Sequence, residues 1–262
     1  MAALPLGPAG LLAALGGVAG ALSAVFSNDV ICLAMTPVVA RLCLRRGLDP
    51  VVFLVALACA ANIGSAATLI GNPQNMLIGS VLQLQFGAYL RQALPPVALA
   101  PAALVGAGVL LLSRRFHSSE VMRFVDWELL ILFMGLFVVN HAFEATGLAA
   151  QAVTWLAGRG VHLADPGVLM VAGVALSDLV SNVPAVMLLL PHLPSADAGI
   201  LLALVSTLAG NLLRVGSIAN LIVADLAREA GITIDWRAHA AIGVPVTLLT
   251  LAIAWGWLRW AG

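Results

Sequence analysis

Lysine is absent from this 262-residue chain, and all 12 of its basic residues are arginine. They balance 12 acidic residues to a formal net charge of +0. No basic excess is left to supply the phosphate-neutralising footprint of a nucleic-acid-binding protein. Charged residues make up only 9% of the chain, against about 25% in soluble domains. Cysteine is limited to Cys32, Cys43 and Cys59, each in or beside apolar sequence and none in a CxxC pair. That pattern predicts buried free thiols and speaks against a disulfide framework or a metal site. The sequence also lacks HExxH, GxSxG and any cluster of histidines. An intramembrane enzyme would need such a metal cluster or nucleophile–base pair, so none is expected, and no cofactor either. Met1–Pro5 carries no positive n-region, so no cleaved signal peptide is expected.

Hydrophobic residues, by contrast, make up 62%, and the mean hydropathy is +1.07. Long Ala/Leu/Val runs replace the weak alternation of barrel strands. The fold class predicted is an all-α polytopic membrane protein, with the lipid bilayer as its first partner. Two strings interrupt the apolar sequence with the same pattern, S-x-x-x-S-N: Ser23 to Ser27-Asn28-Asp29, and Ser177 to Ser181-Asn182-Val183. Each closes one apolar run and precedes a second, short one. Val30–Ala40 falls well short of the roughly 20 residues a spanning helix needs. Residues 8–40 therefore read as a re-entrant hairpin with a polar tip, and 166–191 as a second. Each is followed by a broken helix. Residues 51–80 are interrupted at Asn62–Ser65 and again at Gly71–Asn75, and residues 199–229 at Asn211–Asn220. Pro73 removes a backbone donor at the first break. Plain spans are expected at 94–113, after a Gln83–Gln92 loop, and at 238–260.

Ser113–Asp126 is the one clearly polar linker, and it divides the chain. Residues 1–113 form a first repeat. Residues 114–126 form a cytoplasmic linker, and 127–262 a second repeat with an extra span at 127–143. Residues 147–158 read as a helix along the membrane surface. Asn62 is matched with Asn211, Gly71 with Gly216, Asn72 with Ser217, and Asn75 with Asn220. If neither hairpin crosses, Arg41, Arg45, Arg46, Arg114, Arg115, Arg123, Arg228 and Arg237 share one side, and Arg91, Arg159 and Arg259 the other. The richer side is cytoplasmic by the positive-inside rule. The two hairpins then open to opposite sides, which is inverted-repeat geometry.

Tips and breaks leave backbone N–H and C=O groups without intrahelical partners. Helix N-termini favour anions, and freed carbonyls favour cations. Ser23 and Ser27 lie one turn apart, as do Ser177 and Ser181, and can present oxygens on one face. This chemistry suits reversible binding of a small ion. Arg214, inside the second break, could bind an anion, snorkel, or pair with Asp178 or Asp225. His117, His162, His192 and His239 read as solvated loop residues. Glu144 and His141 read as interfacial.

Four strings carry a family resemblance. They are Ser27-Asn28-Asp29 with Thr36-Pro37, the run Asn62 to Asn75, Ser181-Asn182-Val183-Pro184, and Ala209-Gly210-Asn211 through Gly216 to Asn220. Together they resemble the ion transporter superfamily: divalent anion:sodium symporters, citrate transporters, arsenite-efflux pumps and a sodium/proton antiporter branch. The Asn-Asp and Thr-Pro pairing is most similar to arsenite-pump-like anion permeases. The resemblance implies a secondary transporter of a small anion, carboxylate or oxyanion. It also implies alternating access coupled to Na+ or H+, a place in the cell membrane and a homodimer. It places Asn28, Asp29, Asn72, Asn182 and Ser217 at the substrate. Ser23, Ser27, Asn28 and Gly71 would form one cation site, and Ser177, Val180, Asn182 and Gly216 the other. Asn62, Thr68, Asn75, Asn211 and Asn220 would support them.

Asp29 and Val183 stand where the sodium-coupled carboxylate branch has threonine. That departure leaves a cation/proton antiporter of the same fold as the alternative. Family members also carry several helices before the first hairpin, so an N-terminally truncated chain is expected: a fragment, a misassigned start or one piece of a split permease.

Overall fold

A computed structural model describes residues 7–108 and 145–261, together with isolated positions between 135 and 142. The linker expected at 114–126 and nearly all of the span expected at 127–143 lie outside the described residues. Among those described, all regular structure is helical. The elements are α1 (Pro8–Phe26), α2 (Asn28–Arg45), α3 (Pro50–Ser65), α4 (Pro73–Val81), α5 (Phe86–Gly108), α6 (Leu148–Ala157), α7 (Pro166–Val180), α8 (Asn182–Leu189), α9 (Ala196–Ala209), α10 (Ile218–Glu229) and α11 (Trp236–Ala261). A 3-10 turn, Leu190–His192, ends α8. Pro8–Phe26 and Trp236–Trp260 are long and apolar enough to cross a bilayer.

Local sequence explains most boundaries. Pro50 and Pro166 sit in the first turn of their helices, where a missing N–H costs nothing. Asp49, Asp165 and Ser195 cap the N-termini of α3, α7 and α9 with side-chain oxygens. The first hairpin runs five residues beyond its expected end at 40, because α2 continues to Arg45. Arginines there suit the negative end of a helix, and Arg41 Nε donates to Pro37 O at 3.1 Å.

Two further expectations need correction. Asn62–Ser65 is not a break but the last turn of α3, and the chain leaves helix only after Ser65. Residues 86–92, expected in a loop, are already helical in α5. Tyr89 lies in that stretch and is 1% exposed; its hydroxyl donates to Ala66 O at 2.9 Å, which anchors the early turns.

The buried centre consists of α3 and α9. Every residue from Leu57 to Ser65 and from Gly199 to Ala209 is buried. A helix apolar on all sides belongs in such a position. In a bilayer, association relies on close packing of small residues, since lipid offers no hydrophobic drive. The α1–α3 contact shows this. Gly20 abuts Ala60 O and Gly64, and a Cβ added at Gly64 would collide with the Gly20 backbone. The three cysteines are buried free thiols.

The helices that follow the breaks are exchanged between the two regions. α10 packs on α2 and α3, while α4 packs on α8 and α9. Each tip is thereby brought against the other region's break.

Candidate functional site

Both tips have the same backbone. Ser27 joins α1 to α2 with φ 73° and ψ 140°, and Ser181 joins α7 to α8 with φ 76° and ψ 162°. Positive φ with extended ψ is nearly reserved for glycine and costs on the order of 1–3 kcal/mol. Its use at two serines in the same motif marks both tips as strained in the same way. At each tip a single serine separates two helices, and the second helix starts at an asparagine.

Both breaks share a second device. Asn75 Nδ2 donates to the carbonyls ten and seven residues earlier, Ser65 O at 3.4 Å and Thr68 O at 2.9 Å. Asn220 Nδ2 does the same at the same spacings, to Gly210 O at 2.6 Å and Leu213 O at 3.1 Å. Aligned on these shared spacings, Ala66 takes the place of Asn211. The match of Asn62 with Asn211 expected from sequence is off by a turn; Thr207 occupies the place of Asn62. A brace from the following long helix holds the same carbonyl in each break. Tyr89 of α5 reaches Ala66 O at 2.9 Å, and His239 of α11 lies 3.1 Å from Asn211 O. The expectation of a solvated His239 is wrong: the side chain is 2% exposed, because α11 begins at Trp236 and turns it onto the break.

Asn62 joins the two regions. Its Nδ2 donates to Asn211 Oδ1 at 2.8 Å and Asn220 Oδ1 at 3.3 Å. Its Oδ1 accepts from Asn28 Nδ2 at 2.8 Å and Ser217 Oγ at 3.2 Å. Thr207 plays the reciprocal part. It accepts from Asn72 Nδ2 at 3.3 Å and Gln74 Nε2 at 3.2 Å, and donates to Asn75 Oδ1 at 3.4 Å.

Between the tips lies a small cleft lined by Asn28, Asp29, Pro73, Gln74, Ser181, Asn182, Val183, Ser217 and Ile218. Asn28, Pro73, Asn182 and Ile218 are the first residues of α2, α4, α8 and α10. The N-termini of these four helices thus meet at one place. Each such end carries about +0.5 of an elementary charge and N–H groups without intrahelical partners. Side chains cap only one of the four. Asn72 Oδ1 accepts from Asn75 N at 2.9 Å, whereas α2, α8 and α10 have no side-chain cap. Among the described residues no basic side chain lines the cleft, and the one charged residue that does is Asp29, 6% exposed. This arrangement can hold a small oxygen-rich solute by backbone N–H groups, amides and hydroxyls, and can release it again.

Of the residues expected at substrate, Asn28, Asp29, Asn182 and Ser217 line the cleft. Asn72 and Arg214 do not. Asn72 is turned inward to cap α4 and to donate to Ser65 Oγ at 2.9 Å. Arg214 donates to Ile234 O at 2.7 Å, and Asp225 instead pairs with Arg228 at 2.7 Å. Pro73, Ser181 and Val183 line the cleft without having been expected at substrate, and Gln74 and Ile218 line it without having been singled out at all. Their signal was position alone: each adjoins a tip or the end of a break.

Of the residues expected at cations, Ser23 and Ser177 lie one turn behind the tips. Ser23 and Ser177 are each 0% exposed, and neither Oγ has a hydrogen-bond partner among the described residues. A buried hydroxyl without a partner is costly, so two at equivalent places suit a ligand with a need for oxygen. Gly71 O accepts from Asn28 N at 3.0 Å. With its nitrogen turned to the carbonyls, the Asn182 amide donates to Gly216 O and Ser206 O, both at 2.9 Å. Ser27 Oγ sits 3.4 Å from Asn28 Oδ1, and Val180 ends α7. Thr68 Oγ1 donates to Ala24 O at 2.6 Å, which ties the first tip to its own break.

A family model described as citrate transporter matches residues 4–209. An uncharacterized transporter of Mycobacterium tuberculosis is 26% identical over 91% of this chain and 74% of its own length. A silicon efflux transporter of Oryza sativa subsp. japonica is 27% identical over 88% of this chain and 75% of its own. An inner membrane protein of Escherichia coli K12 is 29% identical over 84% of this chain and 70% of its own.

Proposed function

The chain belongs to the citrate transporter family, and we propose that it moves a small anion or oxyacid across the cell membrane by alternating access, coupled to sodium or protons. Family membership makes it a membrane transporter and not an enzyme. The observation that carries the substrate reading is the convergence of four helix N-termini on one cleft that no basic side chain lines among the described residues. Such ends bind anionic or electron-rich oxygen without a fixed cation.

Asp29 narrows the substrate. Its carboxylate opposes a multiply charged carboxylate ligand but accepts hydrogen bonds from O–H groups. A weakly charged oxyacid, with oxygens for the N–H groups and hydroxyls for Asp29, matches both features. The name of the rice relative, a silicon efflux transporter, is consistent with that class. The unpartnered hydroxyls of Ser23 and Ser177 support a coupling cation beneath each tip.

In this reading the two tips are the ends of re-entrant hairpins, and α3–α4 and α9–α10 are discontinuous spanning helices of an inverted repeat. Irregular backbone at membrane depth is tolerated where it lines a cavity or is buried in protein, as at both breaks. The location is multi-pass in the plasma or inner membrane, and a homodimer is the assembly proposed.

The test is transport in proteoliposomes across a panel of oxyanions and carboxylates, with Asn28→Ala and Asn182→Ala beside the parent. Loss of flux in both variants is expected, and undiminished flux in either sinks the site assignment. A second reading, a cation/proton antiporter, is favoured by the placement of Asp29 in a cleft without a basic partner. It requires cation flux that needs no anion and that Asp29→Asn abolishes.

A further inference from the structure

Resting on the transport reading and deepening it, we propose that Gln74 sets the specificity of the cleft. Thr207 holds the Gln74 amide so that its oxygen, and not its nitrogen, is offered to the solute. The cleft thereby favours solutes that still carry hydroxyl protons over fully ionised anions.

Gln74 is the second residue of α4, lines the cleft and is 2% exposed. Two carbonyls settle which way its amide faces. A carbonyl can only accept, so Ser65 O and Thr68 O take the Nδ2 of Asn75 and leave Asn75 Oδ1 in need of a donor. That donor is the Thr207 hydroxyl, 3.4 Å away. A hydroxyl has one proton, so Thr207 Oγ1 is an acceptor towards its other neighbours. Asn72 Nδ2 at 3.3 Å and Gln74 Nε2 at 3.2 Å fill that role. A Gln74 turned the other way would set its oxygen against an oxygen whose proton is already committed. Its nitrogen is therefore held inward, against a Thr207 that is 0% exposed. Gln74 Oε1 has no hydrogen-bond partner among the described residues, yet it is not sealed from solvent as Ser23 Oγ and Ser177 Oγ are. The opening beside it is the cleft.

The other amides of the cleft are turned alike. Asn28 Nδ2 donates to Asn62 Oδ1 at 2.8 Å, and Asn182 Nδ2 donates to Ser206 O and Gly216 O, both at 2.9 Å. The Ser217 hydroxyl is committed as well, to Asn62 Oδ1 at 3.2 Å. Amide oxygens and Asp29 are left as side-chain acceptors, and the N–H groups of the helix ends supply donors. A solute with both bare oxygens and hydroxyls satisfies the two sets together. A fully ionised oxyanion sets its own acceptors against Gln74 Oε1 and leaves that oxygen unpaired. A site built to receive an O–H rejects an analogue without one.

The second region has no counterpart. Aligned on the spacings of the two breaks, Ala219 takes the place of Gln74 and Asn62 that of Thr207. The additional acceptor comes from the first region alone.

The experiment is equilibrium binding to the purified full chain, read by calorimetry at neutral pH and constant ionic strength. The probes are boric acid and orthosilicic acid, uncharged and hydroxyl-bearing under these conditions, and sulfate, which carries no proton. The parent should bind both acids more tightly than sulfate. Gln74→Met keeps the length of the side chain and removes the acceptor. It should weaken both acids roughly tenfold, as the loss of one hydrogen bond to the solute does, and leave sulfate unchanged or tighter. Thr207 acts as a positioning residue: Thr207→Val frees the amide to turn and should shift the ratio of affinities the same way, while Thr207→Ser should keep the parent's ratio. A ratio that Gln74→Met leaves untouched overturns the proposal, and so does an equal loss for all three probes. If Gln74→Met does not fold, the Thr207→Val and Thr207→Ser pair decides by the same ratio. A parent that binds none of the probes removes the oxyanion reading and this proposal together. A parent that binds them, with a ratio indifferent to Gln74 and Thr207, removes this proposal alone.

Discussion

The two tip-and-break regions use one backbone and two chemistries. Ser27 and Ser181 share a strained conformation, and Asn75 and Asn220 bridge their breaks at the same spacings. The side chains set on that frame differ. The first region puts its acid past the tip, at Asp29, in the shared cleft; the second puts it before the tip, at Asp178, behind the cleft. The first break is braced by a tyrosine and the second by a histidine. The first region caps its post-break helix with Asn72, whereas Ser217 gives its hydroxyl to Asn62. A shared geometry with unlike charges would let the backbone supply the proposed binding place and the side chains divide the labour within it.

Asn62→Ala should have the largest effect, because it breaks both regions at once. It leaves Asn28, Ser217, Asn211 and Asn220 without a shared partner, at about 1–3 kcal/mol for each buried group stranded. Chemical or thermal unfolding of the detergent-solubilised protein should show a loss of several such units. A loss no larger than that of a single surface substitution breaks the picture of a common junction.

Next come Asn28→Ala and Asn182→Ala, each expected to weaken oxyanion binding at least tenfold in a ligand-induced melting assay. Equal losses mean that the tips share the ligand, and a silent variant means that one tip holds it alone. Asp29→Asn should strengthen binding of fully ionised anions by several-fold and weaken that of hydroxyl-bearing oxyacids. The direction of the change in selectivity, measured by competition, checks the role given to that carboxylate.

Smaller effects test the braces. Tyr89→Phe removes two hydrogen bonds, to Ala66 O and from Asn75 Nδ2, worth about 1 kcal/mol each, and His239→Leu, with one contact to Asn211 O, should cost less at the second break. A difference between them, read as a shift in unfolding midpoint, would show which break relies more on its long helix. Ser27→Gly and Ser181→Gly should have the least effect. Relief of positive φ offsets the backbone entropy of glycine, so that stability changes by no more than about 1 kcal/mol either way.

Tips and breaks were legible in the sequence because polar residues in an apolar run need a reason, and only irregular backbone or a ligand gives one. Ser23, Ser27, Asn28, Ser177, Ser181 and Asn182 all stood out on that ground. The roles of Gln74, Thr207, Tyr89 and His239 were not legible. Each depends on which distant segment packs opposite, and the exchange of α4 and α10 between regions is a long-range fact with no local signature. Asn62 misled for a related reason. Sequence matched asparagine with asparagine, while the structure matches by the carbonyls that Asn75 and Asn220 grip. The early start of α5 was not legible either: Pro95 and Pro96 lie near the start of the span expected at 94–113, yet the helix already runs from Phe86 through both.

The hydrogen bonds of Asn62 also limit how the protein can move. They knot the first tip to the second break, while α4 lies against the second hairpin. A gate formed by one tip swinging open alone would tear this knot in a dry interior. Under the alternating access proposed above, the cheaper motion would carry both tips and both breaks, with any solute between them, as one cartridge and shift the surrounding helices past it. In such a machine the binding place keeps its shape throughout the cycle, and only the wall that faces it changes sides.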